Sequence, residues 1–163
     1  MSAGAARSAA ECVLCQRAST LDAGDPGWLL RTEAWGVSPH PAIAVPGWLA
    51  MQTLRHTEGL AQLNETEAAE LGPLCVRLSA AISEVTGMAR VYSYSIGEGC
   101  PHTHVLIGPP GPDLRGSAFL SALLCRDASL ADEHAALGIA ADLAAELAHE
   151  ERPHPSSTTT RKR

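Results

Sequence analysis

The stretch Gly97-Glu98-Gly99-Cys100-Pro101-His102-Thr103-His104-Val105-Leu106-Ile107 decides how the rest of the chain is read. Two histidines alternate with other residues and run into an apolar, β-branched tail. That is strand patterning, in which successive side chains point to opposite faces. On this reading His102, His104 and Leu106 share one face, and Thr103, Val105 and Ile107 share the other. Two imidazoles about 7 Å apart on one face, behind a glycine-rich turn, suit a phosphate or a metal. Two ordinary histidines on a half-buried strand would leave the same pattern.

Working outward, Arg90-Val91-Tyr92-Ser93-Tyr94-Ser95-Ile96 also alternates and delivers the chain to the Gly97 turn. Residues 91–107 therefore predict an antiparallel hairpin with the histidines on its return strand. Upstream, Asn64-Glu65-Thr66-Glu67 opens the clearest helix, with Asn64 as cap and Glu67 placed to complete a capping box. Leu71, Leu74, Cys75, Leu78, Ile82 and Val85 follow at helical spacing as one apolar stripe. Pro73 is expected to kink or weaken this helix, Gly87 to stop it, and Cys75 to act as a small core hydrophobe. Further upstream, 28–32 and 35–38 read as two short strands joined by a tight turn. Residues 42–45 and 48–53 read as another, broken by Pro46-Gly47. Residues 117–124 and 131–151 predict two alanine- and leucine-rich helices, with Cys125, His134 and His149 as residues of no special role.

With 163 residues the chain is long enough for one domain with a real core. Aromatics are only 4 % of it, so that core should be aliphatic. The formal charge is −6, and the basic cluster Arg161-Lys162-Arg163 is a tail and not a groove, which argues against a nucleic-acid partner. No apolar run is long enough to span a membrane, and Met1 to Ala10 lacks the hydrophobic centre of a secretory signal. Five cysteines in such a chain read as reduced thiols or metal ligands, and the expected compartment is the cytoplasm. Cys12-Val13-Leu14-Cys15 is a Cys-x-x-Cys pair. It could grip zinc with two further ligands, serve redox chemistry or arise by chance. A redox role would want the second cysteine running into a helix, whereas the following residues read as a Gly/Asp/Pro loop.

In order and spacing these pieces resemble the histidine-triad superfamily over residues 11–110. The resemblance rests on Cys12-x-x-Cys15, Val45-Pro46-Gly47-Trp48-Leu49 leading to Arg55-His56, the helix with Glu67-Ala68-Ala69-Glu70-Leu71, and Tyr92 through Gly97-Glu98 into Pro101-His102-Thr103-His104. It implies an α+β fold, with an antiparallel sheet of about five strands and a long helix packed on it. Residues 111–151 would be a helical extension, and 1–10 and 152–163 disordered ends. It implies a nucleotidyl hydrolase or transferase acting on a nucleoside phosphate or dinucleoside polyphosphate. His104, the middle histidine, would form a covalent nucleotidyl-histidine. Gly97, Gly99 and Cys100 would meet phosphate oxygens. In zinc-bearing members that resemble galactose-1-phosphate uridylyltransferase, two cysteines and two histidines hold the metal. Those positions match Cys12, Cys15, His56 and His102. The resemblance also suggests a homodimer.

The sequence departs from the family pattern at the third triad position, where Leu106 replaces histidine or glutamine. Leucine neither donates a proton nor hydrogen-bonds, and losing one positioned acid–base group typically costs about 10²–10⁴-fold. Thr103 stands where an apolar residue is usual, and Gly108-Pro109-Pro110 replaces the usual polar residue after the motif. Two other functions follow from these departures: a repurposed zinc protein with non-phosphoryl chemistry in specialised metabolism, or a non-catalytic zinc-stabilised binding module. Cys100 reads as a semi-exposed thiol without a role, a substrate contact or a soft metal ligand. Trp28, Trp35 and Trp48 are candidates for a base-stacking wall, with core packing as the alternative for each.

Overall fold

The structure, a computed structural model, describes residues 9–22, 24–97, 99–111 and 116–150. The central strand explains the architecture. Leu49–Thr53 (β3) is buried at every position, so both its faces must be covered. It lies between Trp35–Pro39 (β2) and His104–Gly108 (β5), antiparallel to each. Leu30–Arg31 (β1) and Tyr92–Tyr94 (β4) form the edges, and the order is β1-β2-β3-β5-β4. The expected hairpin is present as β4 and β5, with Tyr92 opposite Gly108 and Tyr94 opposite Leu106. The segment 42–45 is not a strand. Flanked by Pro41 and Pro46-Gly47, it stays irregular, and the ladder begins only at Leu49.

One face of the sheet presents Trp35, Val37, Leu49, Met51, Val105 and Ile107 to the helix Glu65–Thr86 (α2). α2 answers with Leu74, Leu78 and Ile82 fully buried and Leu71, Cys75 and Val85 half-buried, the stripe that helical spacing predicts. Its capping box is closed: Asn64 Oδ1 accepts the Glu67 N–H at 2.9 Å, and Glu67 Oε2 accepts the Asn64 N–H at 2.8 Å. Gly87 ends it in the left-handed conformation at φ 69°. The helix runs through Pro73 because the proline and the Ala69 carbonyl it deprives of a partner both lie on the exposed face.

The C-terminal helices add to the core. Leu143 and Leu147 of Glu133–Glu150 (α4) join the α2 cluster. Phe119 and Leu123 of Gly116–Leu124 (α3) pack with Trp48 and Val45 on the opposite face. On that second face Trp48 lies flat against Gly108 and Trp28 against Gly36, so close that a Cβ at either glycine would collide with the indole. All three tryptophans are core residues. Cys125, His134 and His149 are exposed. The tail at 152–163 and most of the N-terminal segment expected to be disordered lie outside the described residues, and Ala9–Glu11 is a 3-10 turn. No described helix is long and apolar enough to cross a membrane.

Candidate metal centre and His104 cavity

Cys12, Cys15, His56 and His102 come from three places in the chain, and their ligating atoms all lie within 4.8 Å of one another. Cys12 caps the helix Val13–Thr20 (α1), and Cys15 lies in its first turn. The pair therefore does run into a helix, against the expected loop. The Gly/Asp/Pro residues begin only after Leu21, leaving a full eight residues to close helical turns. Three anchors hold α1 over the sheet. Leu14 is buried, Gln52 of β3 donates to the Leu14 carbonyl at 2.9 Å, and the Arg17 guanidinium lies 5.7 Å above the Trp28 ring.

His102 is placed by a turn and not by strand alternation, because β5 begins only at His104. Its N–H bonds the Cys100 carbonyl at 2.7 Å across Pro101. Its ring, 1 % exposed, puts Nδ1 3.3 Å from Cys12 Sγ and 3.4 Å from Cys15 Sγ. On the far side Nε2 lies 2.8 Å from the Thr53 carbonyl oxygen, which can only accept. Nε2 thus carries the proton, and Nδ1 turns a lone pair toward the sulfurs. His56 places Nδ1 3.3 Å from Cys15 Sγ, with Glu58 Oε1 3.6 Å from its Nε2.

The loop bearing His56 is fixed by its neighbour. Arg55 donates from Nε and Nη2 to both oxygens of Glu67, at 3.0 and 2.7 Å. Burial of Glu67 opposes its charge, but this fork and the Asn64 N–H outweigh it and hold the carboxyl below the usual range. Burial, aided by the adjacent Cys12 sulfur, pushes the Cys15 thiol up to about 11. Burial also lowers His102, favouring the neutral imidazole that a metal ligand must be. One buried and one half-buried sulfur with two imidazoles form a donor set for a thiophilic divalent ion.

His104 and Leu106 do share a face, and His102 lies apart from them. His104 Nδ1 is 2.6 Å from the His102 carbonyl oxygen, so Nδ1 carries the proton and Nε2 keeps its lone pair. The ring lines a cavity of about 490 Å³ with Gly99, Cys100 and Leu106. Gly97 is not among its walls. Leu106 packs with Trp48, Tyr92 and Tyr94, offering the cavity an apolar surface. None of the three tryptophans lines this cavity. Two further wall residues, His40 and Arg126, lay unremarked in the sequence. The only hint of His40 is its place between Pro39 and Pro41 at the end of β2. Nothing local marks Arg126, since it reaches the cavity only through the packing of α3.

No protein-family model matches the sequence, and no curated protein matches it. Solved structures do match in shape. A zinc-bound histidine triad family protein from Mycobacterium smegmatis superposes with TM-score 0.63 over 88 % of this chain and 97 % of that one, at 16 % identity. This chain has the histidine-triad fold. A Plasmodium falciparum diadenosine triphosphate hydrolase, solved with Cyclomarin A, shares the fold at 12 % identity and TM-score 0.58, over 76 % of this chain and 78 % of that one. A uridylyltransferase shares it at 17 % identity and TM-score 0.63, over 86 % of this chain and 46 % of that one. The histidine-triad fold accounts for the five-stranded antiparallel sheet, the long helix on one face and the histidine strand beside the central strand.

Proposed function

We infer that this chain is a zinc-stabilised nucleotidyl hydrolase or transferase, working on a nucleoside phosphate or dinucleoside polyphosphate through a covalent nucleotidyl-histidine at His104. The observation that carries the reading is the 2.6 Å bond from His104 Nδ1–H to the His102 carbonyl, in the wall of a cavity large enough for a small substrate. That bond fixes the tautomer and leaves Nε2 as the nucleophile. Nε2 would form the N–P bond as the P–O bond to the leaving group breaks. Water or another acceptor oxygen would then break the N–P bond and return the histidine. Gly99 and Cys100, which line the same cavity, would meet phosphate oxygens, and Gly97 would act only through the turn's backbone.

Zinc is the ion that the donor set favours. Zn–S near 2.3 Å and Zn–N near 2.0 Å would define tetrahedral S···N edges of about 3.5 Å. The S···N separations of 3.3–3.4 Å lie close to that. Cys12, Cys15, His56 and His102 would hold it as a closed four-ligand set, and the ion would supply a cross-link and not a reaction site. The fold neighbours named above, a zinc-bound protein and two nucleotide enzymes by name, lend support to both halves of the reading. The homodimer implied by the family resemblance belongs to the same proposal, and light scattering tests it. The second reading, a repurposed zinc protein without phosphoryl chemistry, is favoured by one observation: Leu106 gives the third triad position no polar group.

Intact mass under denaturing conditions separates the two readings. After mixing with a panel of nucleotides, the zinc-loaded protein should gain a nucleotidyl mass that His104→Ala abolishes. A folded, zinc-loaded protein that shows neither adduct nor turnover on any nucleotide sinks the nucleotidyl reading in favour of the second.

A further inference from the structure

The His104 cavity has chemistry that the reaction at His104 does not use. His40, at the end of β2, and Arg126, just past α3, both line it. The His40 Nδ1 accepts the N–H groups of Ala42 and Ile43 at 3.2 and 3.3 Å, so Nε2–H is the ring's only donor. Burial pushes His40 down to about 4, and the charges of Arg126 and His104 push it the same way. Arg126 and His104 therefore both lie within electrostatic reach of His40. Among the described residues no carboxylate lines this cavity, and Arg126 makes no ion pair. The adjacent Asp127 is spent on the next turn, accepting the Ser129 N–H at 2.9 Å. The Tyr94 hydroxyl, in the same cavity wall, is buried without a hydrogen-bond partner among the described residues.

The backbone at Arg126 carries a second sign. It is the one non-glycine residue with positive φ, 54°, among the described residues. Arg126 N–H to the Leu123 carbonyl at 3.0 Å and Asp127 N–H to the Ala122 carbonyl at 2.9 Å lock the turn. Such a turn favours glycine, and an arginine kept there costs stability, a pattern expected where the side chain has a task.

We propose that Arg126 and His40 form an anion-binding end of the His104 cavity and hold a second phosphate of the substrate, beyond the one attacked, selecting nucleoside di- or polyphosphates over monophosphates. Arg126 supplies a permanent charge and a forked donor, and His40 a neutral Nε2–H. The placement rests on the reading of His104 as the nucleophile.

The test is calorimetric titration of the zinc-loaded full chain with ADP, AMP and inorganic pyrophosphate, beside Arg126→Gly and Arg126→Lys. The wild type should bind ADP about tenfold or more tighter than AMP, in keeping with one charge-assisted clamp. Arg126→Gly should bring ADP down to the AMP level, leave AMP unchanged and lose pyrophosphate, while its melting temperature holds or rises because glycine suits the turn. Arg126→Lys should keep part of the ADP preference. An ADP preference absent from the wild type, or undiminished in Arg126→Gly, overturns the proposal, even if the His104 adduct forms. If pyrophosphate binding depends on Arg126 but no nucleotide forms an adduct, the anion end stands and the nucleotidyl reading falls.

Discussion

Single atoms fix the chemistry at His102 and His104. Each imidazole gives one nitrogen to a backbone carbonyl, Thr53 for His102 and His102 itself for His104, and so presents the other nitrogen bare. A buried ring without such a partner would sample both tautomers. Thr53 therefore matters although it offers no atom to the Cys/His cluster itself. The residue most exposed to acid is His40. Its folded pKa of about 4 lies below the usual value near 6.5, so the unfolded chain binds more protons between those two limits. Stability should fall as pH drops from about 6.5 toward 4. Comparing the melting temperature against pH for wild type and His40→Gln, we expect the glutamine variant to lose less across that window. Equal losses would show that His40 is not held neutral by the fold. Cys15 gives a further outcome at this scale. Cys15→Ser removes a ligand and should drop bound zinc, measured by plasma emission, from about one per chain toward zero.

At the scale of elements, what the sequence discloses and what it hides have different physical causes. The α2 helix was legible except at Pro73, which it runs through, because its capping box, apolar stripe and stop glycine are all local signals. Its core contribution is correspondingly predictable: Leu78, fully buried, should cost about 2–5 kcal/mol as alanine in a denaturant melt. Asn64→Ala should cost about 1 kcal/mol, read the same way. The strands were legible in type but shorter than their patterns, since an edge such as β1 is set by how much of a neighbour it can pair with. His102 was misplaced for a similar reason. Alternation extends past the strand into the turn, and only the ladder, which starts at His104, shows where side-chain parity stops applying. The metal ligands were named by their likeness to a pattern and not by spacing, because a pair at 12–15 carries no local trace of His56 or His102. Arg126 could not be read at all, since a residue 22 positions beyond His104 joins the site only when Phe119 and Leu123 seat α3 on Trp48.

Across the whole molecule, the Cys/His cluster ties together residues separated by 41 and 87 positions, the N-terminal helix to the middle and to the histidine strand. A bound ion there acts as a cross-link over long loops. Removing it with a chelator should lower the melting temperature by roughly 10 °C, each kcal/mol being worth about 2–4 °C at this size. Zinc, but not magnesium, should restore it, because sulfur donors discriminate against the harder ion. An unchanged melt after complete removal of metal would mean that the core alone holds α1 in place. The second buttress is the Arg55–Glu67 fork, which couples the start of α2 to the loop of His56. Glu67 has a depressed pKa, so its contribution is present above the ordinary carboxylate range and lost as pH falls through its folded value.

His102 takes part in both halves of the site through two different atoms. Its ring nitrogen faces the sulfurs, and its carbonyl oxygen, in the same residue, orients His104. The geometry of the Cys/His cluster and the orientation of the His104 ring thereby depend on one residue. On the proposed reading, loss of the ion or oxidation of Cys12 and Cys15 would loosen the peptide that holds the His104 ring while leaving the other walls of the cavity in place.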